Sequence, residues 1–368
     1  MTNKADRKKL LVLIIGVIAG FFWPVTAAES PYPNGDTFWF SFYSTSEADS
    51  VYALAGGATG IGPYYGTDQS GVLAWADLYN THISYKVRPA CMNGADWQDA
   101  GFVWPNDATI IADTAAAVSA VATNTSIGLW DLNPEELRYW KPAELRYLEL
   151  VTATVRANDP YGRPVMMYEP NARNADGLSQ TVPYQDICGK GTYISTTSAY
   201  RHNRIWARWS MEQELEAIAA ANTSAVPWIV LWMAADAEEG EEHLIRDWCR
   251  HDAYMGLIMG GKGISIWSGY RNRAGFSDDF QAYFDGYLSV AADLNLNRNL
   301  APVFLYGTDV SGVTHTVTAG PNELELIYGG ATNHYPSVTY TMRELHGQQY
   351  LFMVNSATQA VTLTFNGV

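Results

Sequence analysis

The chain has 368 residues and a net charge of −15, which argues against nucleic acid as a partner because phosphate binding needs a clustered cationic surface. Hydrophobic residues make up 48% and charged residues 17%, so a large core can be buried and general disorder is excluded. That length suits a (β/α)₈ barrel carrying a small appendage.

The first residues have the pattern of an export signal. Lys4, Arg7, Lys8 and Lys9 make a positive start, Leu10 to Phe22 is an apolar run, and Val25-Thr26-Ala27 offers small residues for cleavage. The run is shorter than the ~20 residues that span a bilayer. The expectation is a signal peptide over 1–28, a periplasmic or extracellular mature protein, and no stable membrane insertion. Cys91, Cys188 and Cys249 are an odd set with no metal-motif spacing, read as structural thiols without an assigned pairing.

From residue 29 to 297, short apolar runs alternate with amphipathic stretches, the pattern of βα units and a parallel sheet. Strands are expected at 37–43, 58–65, 83–89, 127–132, 165–169, 191–195, 228–233 and 263–268. Eight in order is the count of a closed (β/α)₈ barrel, with an open doubly wound sheet as the competing architecture. A long helix is expected from Pro134 onward and others over 206–220, 241–259 and 276–294. From Val303 the pattern changes to short alternating strands between Gly, Asn and Ser, an antiparallel sandwich over 298–368. The last residues still read as strand and turn, as in a minimal domain or a piece of a longer chain.

In a barrel the chemistry sits at the carboxyl ends of the strands. Hydrolysis of a glycosidic bond needs two carboxyl groups there, one to protonate the leaving oxygen and one to attack or to activate water. Strand four ends in Trp130-Asp131-Leu132-Asn133-Pro134-Glu135-Glu136, three acids and a Trp at one rim. Glu135 and Glu136 could instead be ordinary first-turn acids of the following helix. Strand five ends in Tyr168-Glu169-Pro170-Asn171, which makes Glu169 the leading catalytic candidate, against the alternative that it anchors Arg163 or Arg173. After strand seven only Asp236 of an acidic run lies close to the strand.

Aromatic residues recur at the same rim: Trp39, Tyr43, Trp130, Tyr168, Tyr193, Trp232 and Trp267, a pattern that suits a sugar-lined cleft. Arg88, Arg173, Arg201 and Arg204 follow strands and could hold an anionic sugar or neutralise the carboxylates. The substrate-binding set is therefore Trp39, Tyr43, Arg88, Trp130, Tyr168, Asn171, Tyr193, Arg201, Trp232, Asp236 and Trp267. The histidines show no metal spacing, and no phosphate loop, dinucleotide fingerprint or nucleophile elbow is present, so neither cofactor nor metal is expected.

The phrases GLWDLNPEELRYW, DPYGRPVMMYEPN, PWIVLWMA and GLIMGGKGISIWS resemble the barrels of retaining-type glycoside hydrolases, over Ile127 to Ser268. The tail, GQQYLFMVNSATQAVTLTF, is similar to the small β-sandwich that often follows such barrels. The resemblance implies a secreted glycoside hydrolase with a carbohydrate substrate. Its acid/base is commonly a Glu before the strand-four proline; here Asn133 precedes Pro134 and the glutamates follow it. No nucleophilic Glu stands at the end of strand seven. A carbohydrate-binding barrel without turnover is the rival reading. A polysaccharide lyase using Tyr168, Arg173 and His202 is a third.

Overall fold

The structure is a computed structural model that describes residues 37–64, 69–194, 203–271, 276 and 278–367. The signal-like segment therefore lies outside the described residues, as do Arg201 and His202. Among the described residues no helix is long and apolar enough to cross a membrane.

Eight parallel strands form one sheet: β1 (Trp39–Phe42), β2 (Gly60–Ile61), β3 (His82–Val87), β4 (Ile127–Leu132), β5 (Val165–Glu169), β6 (Ile187–Thr192), β7 (Val226–Trp232) and β8 (Gly263–Trp267). β1 pairs with β8, the order continues down to β2, and the Thr59 amide donates to Phe40 O at 2.9 Å across the remaining seam. The expected barrel is present. Eight helices follow the strands: α1 (Glu47–Ala55), α2 (Ser70–Leu78), α3 (Asp107–Ser119), α4 (Pro142–Asn158), α5 (Ala175–Thr181), α6 (Trp206–Ala221), α7 (Ile245–Ile258) and α8 (Phe280–Ala292). Short polar side chains start several of them. Ser46, Asn106 and Asn174 each accept the amide three residues on, satisfying a donor the helix leaves open.

Two boundaries differ from expectation in ways that bear on the site. The helix after β4 begins at Pro142, not Pro134. Pro142 takes the first-turn position that needs no N–H, and residues 133–141 form a loop above the barrel. The sixth strand spans Ile187–Thr192 rather than 191–195. Its sequence, ICGKGT, lacks an apolar run because small residues face the crowded interior and Lys190 packs outward against α6.

The barrel interior is layered. At the bottom, Trp39 meets Trp228 edge-on at 5.7 Å. A Cβ at Gly60 or Gly128 would fall 2.6 or 2.7 Å from the Trp39 ring, so these glycines make room for the indole. Gly128 also sits where the β3–β4 register shifts. Above this, the Ser41 and Ser265 hydroxyls pair at 2.8 Å. The apolar outer faces of β3, β4 and β5 pack under α2, α3 and α4, and a second cluster runs under α6, α7 and α8.

The antiparallel strands follow a short helix, α9 (Ala301–Tyr306), as three small sheets. They comprise β9 (Thr308–Asp309) with β13 (Val338–Leu345) and β14 (Gln348–Asn355); β10 (Thr314–Ala319) with β15 (Thr362–Asn366); and β11 (Glu323–Tyr328) with β12 (Ala331–Pro336). They pack on the barrel. Phe352 meets Phe304 of α9 at 4.4 Å, and Tyr328 sits against Trp206 and Trp209 of α6 at 4.8 and 5.0 Å. The hydroxyl of Tyr328 reaches Ala172 O, in the loop after β5.

Candidate active site

Strand alternation decides which residues reach the pocket, because successive side chains point to opposite faces. On β5, Tyr168 points inward and stacks on Tyr193 at 5.9 Å, while Glu169 points outward toward α5. On β3 and β4 the inward pair at the top is Lys86 and Asp131, which are register partners. On β7 and β8 it is Trp232 and Trp267.

Five aromatic residues from five strand ends meet here: Tyr43, Tyr168, Tyr193, Trp232 and Trp267. Tyr193 stacks on Tyr168, on Trp232 at 6.3 Å and on Trp267 at 5.5 Å, within the range where such pairs attract. Gly191 leaves the space they need, since a Cβ there would stand 2.4 Å from the Tyr168 hydroxyl.

Beside this wall lies a charged cluster. The buried Lys86 ammonium is 3.2 Å from Asp131 Oδ2 and 2.7 Å from Glu135 Oε2. Gln69 holds the Lys86 backbone from both sides, accepting its N–H and donating to its carbonyl. Burial alone would lower the Lys86 pKa, but Asp131 and Glu135 together hold it above the ordinary value. Neither oxygen of Asp131 makes a well-aligned hydrogen bond, despite the nearby ammonium. Burial pushes the Asp131 carboxyl up to about 6, with Glu135 adding to the rise and Lys86 opposing it. Arg88 stands close enough to oppose it as well, and its Nη2 donates to Tyr64 O at 3.2 Å.

Because the folded state holds the Asp131 proton more tightly than the unfolded value of 3.8, this group favours folding below about pH 4. That contribution is lost as pH rises through 6. Asp131→Asn is expected to flatten the fall in stability across this window, read by urea unfolding at stepped pH. An unchanged slope would remove Asp131 as its source.

Glu135 and Glu136 are partly exposed and lie in the loop before α4, so the first-turn explanation for these acids does not apply. Glu136 has φ of 62°, an uncommon backbone for a residue with a Cβ, of the kind that collects at functional sites. Its amide donates to Tyr168 O at 3.1 Å. Burial raises its pKa, and Glu135 adds to the rise while Arg173 opposes it.

Glu169 stands behind this loop, fully buried. Oε1 accepts from the Thr181 hydroxyl and from Gln185 Nε2, both at 2.6 Å, and Oε2 pairs with Arg173. Arg173 Nη2 in turn donates to Leu137 O at 2.7 Å and to Glu136 O at 3.3 Å. Both Glu169 oxygens are thus occupied on the helix side of the barrel wall, and the chain of contacts ends on the Glu136 backbone.

Other expected site residues also fall away from the pocket. Trp39 is at the barrel bottom. Trp130 points outward, with its Nε1 on Asp159 Oδ2 at 2.9 Å and Arg163 over its ring at 4.7 Å. Asn171 Oδ1 accepts from the Tyr193 amide and the Trp206 indole, which makes it a brace behind Tyr193. Asp236 accepts the Asp279 amide at 2.9 Å, and Asp279 accepts the Ala237 amide at 2.7 Å, which ties together the loops after β7 and β8. Lys86 was not anticipated. Its signal was a lone lysine at an inward parity position of ISYKVRP. Among the described residues no three His, Cys, Asp or Glu side chains gather closely enough to hold a metal ion.

No protein-family model matches the sequence, and no curated protein does. Solved structures are similar in fold. The β-D-glucuronidase of Dictyoglomus thermophilum superposes with a TM-score of 0.52 at 11% identity, over 70% of this chain and 50% of that one. A β-glucuronidase of an uncultured Clostridium gives 0.51 at 11%, over 70% and 50%. That of Bifidobacterium dentium, complexed with coumarin-3-O-glucuronide, gives 0.50 at 12%, over 69% and 46%. The chain spans about half the length of these structures, and at such identity the likeness shows the barrel fold alone.

Proposed function

We propose that this protein is an exported glycoside hydrolase acting on a polysaccharide or oligosaccharide. The observation that carries the reading is the meeting, at the carboxyl end of the barrel, of a five-member aromatic wall with the carboxylates of Asp131, Glu135 and Glu136. Aromatic faces suit the apolar faces of sugar rings, and paired carboxyl groups suit glycosidic cleavage. Glu136, partly exposed with a raised pKa, is the general acid. Glu135, ion-paired with Lys86, is the second carboxyl group, which attacks the anomeric carbon or activates water. Asp131 and Lys86 set the field around both. Glu169 is a positioning residue that acts through Arg173. The fold likeness to β-glucuronidases and the signal-like first 28 residues support the reading.

An aromatic ledge continues outward from the same rim. Trp140 is 58% exposed beside Tyr139 at 4.9 Å, and Trp97, Phe102 and Trp104 pack together across Arg138. This favours a polymeric substrate. Trp140→Ala is expected to raise KM on the polymer about tenfold, roughly 1.4 kcal/mol, and to leave a small aryl glycoside unaffected. Equal losses on both substrates would remove the ledge from substrate binding.

A sugar-binding barrel without turnover is favoured by one feature. The inward residues at the ends of β7 and β8 are Trp232 and Trp267, so no carboxylate from those strands faces Glu136 among the described residues. The lyase reading loses support because Arg173 is engaged with Glu169 and two backbone carbonyls. The deciding experiment is a screen of the mature chain on plant, algal and microbial polysaccharides, reading reducing ends and ultraviolet absorbance together. Release of reducing ends supports the hydrolase, an ultraviolet-absorbing product the lyase, and binding with no product the non-catalytic barrel.

A further inference from the structure

A second cluster lies outside the barrel, where α7 meets the C-terminal sheets. The Ser356 hydroxyl, just past the end of β14, is 2.9 Å from His251 Nε2. His251 Nδ1 is 2.8 Å from Asp252 Oδ1. The other Asp252 oxygen pairs with Arg204, whose guanidinium lies over Trp248 at 4.7 Å. With Asp252 accepting from Nδ1–H, Nε2 is left as acceptor for the serine proton, the order of roles in a serine hydrolase triad. All three members are nearly buried, but Ser356 and His251 line a groove of about 450 Å³, together with Leu244, Trp248, Met353 and Val361. That volume is within the range of small-molecule sites.

We propose that this groove is a second hydrolytic centre, an esterase site for short-chain acyl esters with Ser356 as nucleophile. Ser356 Oγ bonds to the ester carbonyl carbon while its proton passes to His251 Nε2. The acyl–oxygen bond then breaks, and His251 returns the proton to the leaving alcohol. Water repeats the sequence on the acyl-serine and releases the carboxylic acid. Asp252 and Arg204 are positioning residues. The Ser356 amide donates to Ser337 O and the Ala357 amide to Asn355 Oδ1, so neither supplies the oxyanion hole. Thr358 and Gln359, which line the same groove, carry the side-chain donors assigned to that role. The nucleophile belongs to the C-terminal sheets and the base to a barrel helix, so the centre exists only when the two are docked.

The test is labelling of the wild-type chain with a fluorophosphonate probe, mapped by mass spectrometry, together with hydrolysis of p-nitrophenyl acetate and butyrate. Labelling at Ser356, with ester turnover falling at least about a hundredfold in Ser356→Ala and in His251→Gln, is the expected result. If Ser356→Ala does not fold, wild-type labelling and the His251→Gln rate decide. An unlabelled Ser356, or turnover that survives both substitutions, would overturn the proposal and leave the cluster as a latch between barrel and sheets. Polysaccharide cleavage is read separately, so the two sites stand or fall independently.

Discussion

Replacing Glu169 with Ala is expected to cost about 3–5 kcal/mol of stability, the range for stranding one partner of a buried ion pair. The carboxylate is fully buried, and Arg173 beside it is only 7% exposed. Without Glu169 the guanidinium keeps its two carbonyl acceptors but loses its counter-charge, while Thr181 and Gln185 lose the oxygen they donate to. The Glu136 loop is then held less firmly, so activity per folded molecule falls modestly. Glu169→Gln keeps the shape and one acceptor oxygen, and its cost should be smaller. Urea unfolding gives the stability, and the pH–rate profile of each folded variant separates positioning from chemistry. A positioning residue lowers the rate without moving the profile. If Glu169→Gln unfolds like wild type yet loses activity a hundredfold or more, Glu169 carries the chemistry after all.

That reassignment shows where sequence reading succeeds and where it stops. Six of the eight barrel strands carry β-branched or aromatic runs, which a strand buried on both faces requires; β2 is only Gly60–Ile61, and β6 reads ICGKGT. β6 was misplaced because its inward positions, Gly189 and Gly191, are glycines that make room for Met166 and Tyr168 on the neighbouring β5. The crowding of acids after β4 was legible as composition. The face on which a residue lies was not, because a one-residue change of parity reverses every side chain. Glu169 is the last residue of its strand, yet Tyr168 holds the inward position, so the carboxylate faces α5. Trp130 is turned outward by the same rule, next to an inward Asp131. Trp39 has the right parity but the wrong depth. It lies four residues below Tyr43, about 13 Å at 3.3 Å per residue, and fills the barrel floor. Pairings such as Lys86 with Asp131 depend on register between separate strands, which no local pattern encodes.

Glu136→Gln is expected to lower kcat on the polysaccharide by about 10²–10⁴, the usual contribution of a general acid, with the melting temperature almost unchanged. The small effect on stability follows from position. Glu136 is partly exposed in a loop, and its fixed contacts run through its backbone: the amide to Tyr168 O and the carbonyl to Arg173. A glutamine preserves both. The large effect on rate follows from chemistry, since an amide has no acidic proton to give to a leaving oxygen. Because burial and Glu135 raise the Glu136 pKa, the wild type keeps that proton to a higher pH than an ordinary glutamate. Activity should therefore fall on the alkaline side as Glu136 ionises. Glu135→Gln removes one of the charges that raises it and should lower the Glu136 pKa, read by NMR titration of the carboxyl group because that variant also loses the second catalytic carboxyl. Leaving groups supply a second discrimination. An aryl glycoside with an acidic phenol needs little protonation, so Glu136→Gln should lose far less on it than on the polymer, whereas loss of a nucleophile would affect both alike. A uniform loss across leaving groups would move Glu136 from acid to nucleophile, and undiminished activity on the polymer would remove it from the machinery altogether.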